Sequence, residues 1–513
     1  MAKVFMLAHF SVTPDSLTFG PGIRIWEIAK ALNKKGHAVT ICQKSSNANI
    51  GKKENIILMK YAPEVLDNIK DFDLAYAQIW LNDRDIFEKL DKIPIIVDIY
   101  APYLIEHVYY PYDLKKEESF WRFTDDIVLS TLVPMQYGDF FICANDAQRK
   151  YYLGMLSILG RVNPYNKGKI IDIVPFGTRD IKTVRNEPVL RKRIPKYKKI
   201  ILWLSSFYPW LDPLLAGKTI YELLKLDSEY ALAVVGAKSP FVHSSMYEEN
   251  YNNFYNFVKG KNMIDSTVYF FDWIDQKDIA TVYDEASFLI VTSELNTLET
   301  EFSFRVRMME ALSAGLPIIS SGGDIVSELV SSNKLGIVTL ETEPKKIAKM
   351  ILKQTDKDIK NMKKNIKKFT DNYSWDKIIV PIDKFCKTPS KDNLKKKIMF
   401  ESLIDDRRDL VIQLRKEVDE KEGHIKNFEA SLKNKEETII SNERELLEIK
   451  TKVNELEMSR KIQNEKSIGM EKQIETLCIQ VGRFKNSIVY PYYRITKSIG
   501  KTKLGKLLQR LLK

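Results

Sequence analysis

Up to about residue 385, short β-branched apolar runs alternate with longer amphipathic segments. This pattern is typical of parallel sheets wrapped by helices. Two series of strands are predicted, at 4–8, 39–42, 95–99, 140–144 and 170–174, and then at 200–204, 232–236, 268–271, 288–291, 317–320 and 337–340. The basic polar stretch 179–199 separates the series and has the composition of a linker. The pattern therefore predicts two doubly wound α/β domains, at 1–182 and 183–388.

The first predicted strand is followed by a glycine-containing loop and an amphipathic helix. The loop ends in Gly20 and Gly22, and Gly36 suits a left-handed cap at the end of the helix. Ligands of open α/β sheets bind at the C-terminal ends of the strands, so both glycines and the helix start are predicted to face a cleft. A plain Gly-Pro-Gly turn is the alternative.

After residue 387 the chain becomes strongly charged, and apolar residues recur every seven positions. With Val411 at the first core position, the frame continues to Leu456 and resumes from Met470 to Phe484, which makes about eleven heptads. Polar core residues weaken the seam, most of all over 460–467. The pattern predicts a coiled coil over 395–484 that self-associates into a homo-oligomer, most simply a parallel dimer. A solitary charged helix is the alternative.

The formal net charge of +12 is concentrated at the C-terminus. Residues 485–513 contain eight Lys or Arg and no Asp or Glu, so the rest of the chain carries only +4. This distribution argues against nucleic acid as a partner. After Pro491, apolar residues recur at helical spacing among the cations, and three tyrosines lie near the proline. The tail is predicted to be a basic amphipathic helix on an anionic membrane surface; a helix docked on protein is the alternative.

The four cysteines, Cys42, Cys143, Cys386 and Cys478, lie far apart without paired spacing. They indicate neither a disulfide framework nor a zinc site. The N-terminus lacks the regions of a signal peptide, and no apolar run approaches the roughly 20 residues of a membrane-spanning helix. We therefore expect a cytoplasmic protein that is peripheral at the inner face of the cell membrane.

Candidate chemistry is concentrated in 298–324, LETEFSFRVRMMEALSAGLPIISSGGD. The segment follows an apolar strand, is predicted to enter a helix near Phe304, and stops at a small-residue turn before the next strand. Carboxylates there can accept hydrogen bonds from sugar or ribose hydroxyls. Backbone N–H groups at the helix start can bind phosphate oxygens.

This segment resembles retaining nucleotide-sugar glycosyltransferases of family four, in the subgroup with an ETxFSFRxR motif. Weaker pieces of the resemblance occur in the expected order: GPGIRIWEIAKAL at 20–32, VDIY at 97–100, NDAQRKYYLGML at 145–156, PFGT at 175–178, WLSSFYPWLDP at 203–213, VVGAKSP at 234–240 and YSWDKIIVPI at 373–382. The resemblance covers most of residues 1–388. It implies two Rossmann-like domains in the GT-B arrangement, with an acceptor domain first, a donor domain second, and a final helix that returns to the first domain.

The resemblance implies roles for the acidic residues of the motif. Glu310 takes the place of the second acid of the family's pair, which binds the ribose of the nucleotide. The first acid is Glu299 by the subgroup pattern, with Glu301 as the alternative, and it would bind the transferred sugar. Ser303 and Phe304 lie between the acids and are expected to line the same substrate site.

One departure from the family concerns the cations that neutralise the diphosphate. Many members carry an Arg and a Lys after the first strand of the second domain, yet no cation lies between Ser205 and Gly217. Arg305 and Arg307 lie near the helix start instead, and a guanidinium suits a phosphate. We expect at least one of them to supply the missing charge in catalysis, with Arg24 as a further candidate.

Three other residues lie at predicted strand ends. Trp210 and Asp212 stand where the diphosphate loop is expected, and Asp212 either binds the sugar or, as slightly favoured, caps the next helix. His9 follows the first strand. No Asp-X-Asp sequence lies in a credible metal-binding loop, and the one at 71–73 has the setting of a turn before an apolar strand. Neither an essential metal nor another cofactor is therefore expected.

The resemblance implies transfer of a sugar from a nucleotide-diphosphate sugar to a saccharide or lipid-linked acceptor, with retention of configuration. A tail held at a membrane suits cell-surface polysaccharide or glycan assembly. The alternative is an interaction protein, in which a degenerate transferase domain forms the head of a coiled-coil scaffold. The family's spacing puts the first acid eight residues before Glu310, a position that Phe302 occupies here. This displacement of the acid and the missing lysine leave that alternative open.

Overall fold

The computed structural model describes residues 1–12, 20–45, 48–81, 83–111, 127–179, 181, 187–226, 229–239, 244–295, 297–395, 401–462, 476–479 and 483. The chain forms two compact units, Met1–Ile398 and Met399–Lys513. The first unit contains two β-sheets, called here the first sheet and the second sheet.

The first sheet has eight strands: β1 (Lys3–Ala8), β2 (Ala38–Gln43), β3 (Gly51–Lys53), β4 (Ile56–Lys60), β5 (Leu74–Gln78), β6 (Ile95–Asp98), β7 (Phe140–Cys143) and β8 (Ile171–Ile173). Their order is β3-β4-β2-β1-β5-β6-β7-β8. All neighbours are parallel except β3, which pairs antiparallel with β4.

The second sheet has six strands: β9 (Lys199–Leu204), β10 (Tyr230–Val235), β11 (Val268–Phe271), β12 (Phe288–Val291), β13 (Ile318–Ser320) and β14 (Gly336–Val338). Their order is β11-β10-β9-β12-β13-β14, and every pairing is parallel. The order reverses direction beside β9, and such switch points are where open α/β sheets bind ligands.

The helices of the first unit are α1 (Gly20–Lys34), α2 (Arg84–Leu90), α3 (Tyr103–Val108), α4 (Leu129–Tyr137), α5 (Asp146–Ile158), α6 (Pro213–Leu226), α7 (Glu248–Gly260), α8 (Ile279–Glu285), α9 (Leu298–Phe302), α10 (Val306–Ser313), α11 (Ile325–Asn333), α12 (Pro344–Leu352), α13 (Asp356–Asn372), α14 (Trp375–Ile378) and α15 (Val380–Lys387). Short 3₁₀ helices cover Pro63–Asp71, Leu190–Lys192, Ser244–Met246 and Gln276–Asp278.

The central strands are apolar along their whole length because helices cover both faces of each sheet. In β10, for example, all six residues are buried. Each fully buried aliphatic side chain contributes about 1.5–3 kcal/mol to folding. The predicted left-handed cap after α1 is present, since Gly36 has a φ of 91°, a conformation that glycine adopts without steric cost.

The end of the first unit returns from the second sheet to the first. His37 Nε2 lies 3.0 Å from Asp383 of α15, and the rings of Phe140 and Phe385 stack 5.1 Å apart. Beyond the helix, Lys395 forms an ion pair of 2.7 Å with buried Asp139 under the first sheet. Within YSWDKIIVPI itself, the ring of Trp375 lies 5.2 Å from that of Phe176, so this sequence does return to the first domain, as the resemblance implies.

The sequence analysis predicted neither the strand β5 nor the β3–β4 hairpin. Its turn places Glu54 and Asn55 at φ angles of 48° and 63°, as in the hairpin turns favoured by strand twist. The strand β3 has only three residues, Gly-Lys-Lys, and none is buried. An exposed edge strand carries no alternation of apolar and polar residues, so periodicity cannot reveal it.

The second unit contains the helix α16 (Glu401–Ile462). A long helix here agrees with the heptad pattern, while its association with another chain stays a prediction. The predicted heptads over 463–475 and the tail 485–513 lie outside the described residues. Among the helices that the structure describes, none combines the length and hydropathy of a membrane span.

Candidate functional site

The segment after β12 folds as two short helices rather than one. Thr297 accepts a hydrogen bond from the backbone N–H of Thr300 and so caps α9, which ends at Phe302. Ser303 is extended, and α10 begins at Val306, two residues later than expected. The bend turns the residues from Ser303 to Arg307 toward one cavity.

Glu299 and Arg305 form a two-pronged ion pair at this bend. The Arg305 Nη1 and Nη2 groups each donate to one carboxylate oxygen of Glu299 at 2.8 Å, and Nη2 also donates to Ser293 Oγ at 3.1 Å. Glu299 is 1% exposed. Burial raises the pKa of Glu299, although the Arg305 charge opposes that rise. Both residues of the pair line the cavity.

Glu310 is held between two arginines. Arg179 Nη2 donates to Oε1 and Arg307 Nη1 donates to Oε2, both at 2.6 Å. Burial opposes ionisation of Glu310, but the two arginines outweigh it and hold its pKa below the usual range. Glu310 itself is 1% exposed, whereas the Arg307 side chain is 26% exposed and lines the cavity. The geometry thus brings Arg307 to the cavity wall with Glu310 behind it.

Side chains from the first-sheet side hydrogen-bond to the backbone of the segment 298–302. Asn145, the N-cap of α5, and Gln148 both donate side-chain hydrogen bonds to the carbonyl of Phe302, at 3.4 and 2.9 Å. The Tyr109 hydroxyl accepts from the backbone N–H of Leu298 at 3.0 Å. These contacts fix the bend that presents Arg305, although the sequence analysis assigned none of the three side chains.

Trp210 and Asp212 follow β9 and lie at different depths. Trp210 lines the cavity, stacked on Tyr208 at 5.0 Å and near-parallel to Tyr110 of the first-sheet side at 6.2 Å. Asp212 accepts from the backbone N–H of Leu215 at 2.9 Å, and burial raises its pKa. This is the capping contact that the sequence analysis slightly favoured.

Of the three candidates at the start of α1, Gly20, Gly22 and Arg24, one lines the cavity. Gly20 starts α1 and lines the cavity, while Gly22 is buried within the helix. Arg24 is 0% exposed and binds Asp98 through Nε at 2.6 Å, so it does not reach the cavity as a cation. It also donates to the carbonyls of Val174 and Pro175, where the chain leaves the first sheet. Because its charge is neutralised by Asp98, Arg24 has the contacts of a structural residue rather than a phosphate ligand.

The other candidates also separate. Ser303 and Phe304 are buried and line the cavity, whereas Glu301 is exposed to solvent. Of the two possible first acids, only Glu299 therefore lies at the site. His9 is exposed at the end of β1 and touches the ring of Phe10. Among the described residues, no group of three or more His, Cys, Asp or Glu is placed to hold a metal ion.

The cavity has a volume of about 450 Å³ and lies between the strand ends of the two sheets. Its second-sheet wall contains the acid and arginine pairs described above. Its first-sheet wall contains Trp80, Tyr103, Glu106, His107 and Tyr110, which the sequence analysis did not assign. The sequence YAPYLIEHVYYPY at 100–112 is rich in aromatic residues. This enrichment could have indicated a binding wall from the sequence alone.

Known proteins resemble this chain in its second domain and in its fold. Residues 187–372 match the family described as Glycosyl transferases group 1. No curated protein sequence matches the chain.

Solved structures share the architecture of the first unit. Sucrose-phosphate synthase from Thermosynechococcus elongatus is 15% identical, with 75% of this chain and 98% of that chain covered and a TM-score of 0.51. HepE from Anabaena, solved in complex with UDP-glucose, is 13% identical, with coverage of 76% and 100% and a TM-score of 0.52. The trehalose-6-phosphate synthase OtsA is 11% identical, with coverage of 76% and 100% and a TM-score of 0.54.

At these identities the likeness is one of fold, and the fold is the GT-B arrangement of two parallel sheets around a cleft. The group 1 domain covers the whole acid and arginine segment 298–310. Domain and fold together support a glycosyltransferase that uses a nucleotide sugar.

Proposed function

From the premise of a group 1 glycosyltransferase domain, we propose that this protein transfers a sugar from a nucleotide-diphosphate sugar to a saccharide or lipid-linked acceptor, with retention of configuration. The proposal rests on one observation. Arg305 and Arg307, which belong to the matched domain, line a cavity between the two sheets. Assembly of a cell-surface polysaccharide or glycan is the proposed setting.

The donor diphosphate is proposed to bind against the second-sheet wall. Arg307 is partly open to the cavity. The Nε–H of Arg305 is buried and has no hydrogen-bond partner among the described residues. A buried N–H without a partner costs about 1–3 kcal/mol, and a phosphate oxygen would remove that cost. Both arginines are pre-oriented by carboxylates, so little reorganisation opposes binding.

In this proposal the carboxylates of Glu299 and Glu310 accept hydrogen bonds from sugar hydroxyls. A carboxylate offers about four lone-pair positions, and Arg305 occupies two positions on Glu299. Glu299 is proposed to accept a hydrogen bond from the transferred sugar with the remaining ones. Glu310 is proposed to bind the ribose of the nucleotide. It does so either through Arg307 or by releasing one of its arginine partners to a ribose hydroxyl when the nucleotide enters.

In the transfer, the bond between the anomeric carbon and the phosphate oxygen breaks, a bond to the acceptor oxygen forms, and the proton of the acceptor hydroxyl passes to the departing diphosphate. The main task of the protein is to stabilise the negative charge that develops on the departing nucleoside diphosphate. The two arginines do this in a cavity from which bound substrates exclude water. We assign no general base and propose no cofactor or metal.

The test is a panel of nucleotide sugars, beginning with UDP-glucose, scored by thermal shift and by release of nucleoside diphosphate. We expect at least one member to raise the melting temperature and to be hydrolysed slowly. If neither nucleotide sugars nor nucleoside diphosphates bind, transfer is excluded and the coiled-coil scaffold becomes the better hypothesis.

The long helix α16 is proposed to assemble the protein into a homo-oligomer. Truncation after Ile398 should produce a monomer that keeps its fold, since residues up to Ile398 form one compact unit and Lys395 belongs to its ion pairs. Light scattering of the full-length and truncated chains measures this. A full-length protein that is monomeric at micromolar concentration would contradict the prediction.

The tail is proposed to place the protein at the inner face of the cell membrane. Each Lys or Arg near an anionic surface contributes about 1 kcal/mol of attraction. Cosedimentation with liposomes should therefore require anionic lipid, fall with added salt, and be lost when residues 485–513 are deleted. If the deleted protein still cosediments, or the intact one ignores anionic vesicles, the tail contacts protein instead.

A further inference from the structure

The first-sheet wall of the cavity is formed by a continuous run of aromatic rings. Trp80 contacts Phe10, Tyr100 and Tyr103 edge-to-face, with ring centroids 5.9, 5.6 and 6.2 Å apart. The run continues from Tyr103 to His107 at 4.3 Å and on to Tyr110 at 4.0 Å. Each of these six rings lines the cavity.

Charge is distributed unequally between the two walls. The cavity-lining cations are Arg305 and Arg307, both on the second-sheet side. On the first-sheet side, the described lining residues contain no Lys or Arg, and His107 is uncharged at neutral pH because burial lowers its pKa to about 4. A phosphate or carboxylate held against these described residues would lose its water and gain no positive charge from them.

One acidic side chain interrupts the aromatic wall. Glu106 lies on α3 and lines the cavity, and no described residue hydrogen-bonds or ion-pairs with its carboxyl group. Its charged and titratable neighbours are Glu299 and Arg305 across the cavity, with Tyr100, Tyr152 and Tyr208 around it and His107 beside it in sequence. An unpartnered carboxyl group at a cavity wall is available to a hydroxyl of a ligand.

We propose that this first-sheet wall is the acceptor subsite and that it takes an uncharged saccharide, which packs its apolar face on Trp80 and Tyr103 and bonds a hydroxyl to Glu106. The assignment rests on the proposed function. The C–H face of a sugar ring is weakly positive and suits the negative face of an aromatic ring. In a pocket that is otherwise aromatic, a small number of polar groups fixes the orientation of such a ligand.

The protonation of Glu106 adds a pH dependence to this subsite. Burial and the nearby Glu299 raise the pKa of Glu106 to about 8, against the opposing charge of Arg305. Below that pH the group is a neutral acid that both donates and accepts hydrogen bonds. As the pH rises through about 8, it ionises beside Glu299 and can no longer donate. Acceptor binding should therefore weaken on the alkaline side.

The first experiment compares two acceptor series with the full-length protein and the donor selected by the nucleotide-sugar panel. One series is methyl glucoside, methyl galactoside and maltose, and the other is glucose 6-phosphate and galactose 6-phosphate. We expect kcat/KM to be at least about ten-fold higher for the uncharged series. If neither series accepts sugar, saturation-transfer NMR decides: contact with the glycosides supports the subsite, and its absence overturns it. A preference for the phosphates also overturns it.

The second experiment tests the side chains. Glu106→Leu and Trp80→Ala should each raise the acceptor KM about ten-fold, while the dissociation constant for nucleoside diphosphate stays near wild type. Glu106→Gln, which keeps both hydrogen-bonding functions, should retain binding and lose the alkaline dependence. Matched controls are the exposed residues of the same unit, Glu64→Gln and Tyr165→Ala.

Acceptor KM values that are unchanged in both Glu106→Leu and Trp80→Ala would overturn the subsite. An alkaline dependence that persists in Glu106→Gln would overturn the role of Glu106. A wild-type protein that binds no nucleoside diphosphate would instead remove the proposed function, and the subsite with it. The melting temperatures of all variants show whether a loss is merely one of folding.

Discussion

Replacing Arg24 by Met is expected to lower the free energy of unfolding of the first unit by about 3–5 kcal/mol, the usual cost of breaking a buried ion pair. Arg24 and Asp98 are both 0% exposed, and their side chains meet at 2.6 Å. Met keeps the apolar stem of Arg24 but leaves the Asp98 carboxylate buried without its cation. It also leaves the carbonyls of Val174 and Pro175 without these donors.

The measurement is the unfolding midpoint followed by tryptophan fluorescence in urea. The matched control is Lys34→Met, which removes a solvent-exposed ion pair with Asp376 and should cost no more than about 1 kcal/mol. Equal midpoints for the Arg24 variant and wild type would show that the buried ion pair between α1 and β6 does not stabilise the fold. In that case Arg24 would again be a candidate for a ligand contact.

Replacing Arg305 by Gln is expected to lower kcat for sugar transfer by about 10²–10³-fold, as for other pre-oriented donors at a developing negative charge. The variant loses the cation that faces the departing diphosphate, and it leaves Glu299 buried at 1% exposure without its partner. Arg305→Lys should recover part of the rate, since an ammonium restores the charge without the two-pronged geometry.

The assay measures kcat and KM for the donor together with the melting temperature. Arg149→Gln is the matched control, because Arg149 lies on the surface and pairs with Asp146 at 3.2 Å, and it should stay within about two-fold of wild type. A rate for Arg305→Gln within about three-fold of wild type would contradict the assignment of this group to the leaving diphosphate.

The sequence was sufficient to predict the six strands of the second sheet, five of the eight strands of the first sheet, and the acid and arginine segment, for a physical reason. A strand buried on both faces must be apolar along its length, and a helix on a sheet must be apolar along one side, so both leave local patterns. The segment 298–310 is also continuous in sequence. Its cavity-lining residues Glu299, Arg305 and Arg307 could therefore be named together, and the group 1 domain covers all of them.

Local pattern could not decide which of two neighbouring candidates faces the cavity. Glu299 and Glu301 are two positions apart, yet one is buried against Arg305 and the other is exposed. Arg24 lies in the glycine loop's helix as expected, but its partner Asp98 is 74 positions away in sequence. The tertiary fold brings Asp98, the last residue of β6, to Arg24, and nothing in the helix's own periodicity encodes that neighbour.

The same limit applies to contacts that cross between the sheets. Arg179 donates a hydrogen bond to Glu310, which lies 131 residues away in sequence, and Gln148 donates one to Phe302, which lies 154 residues away. The aromatic wall with Glu106 comes from strand ends and α3 of the first sheet, and it faces Arg305 of the second. Local periodicity determined the elements because it reflects burial within each element. Tertiary structure alone decided the cavity, because its walls come from segments that become neighbours only when the two sheets close on each other.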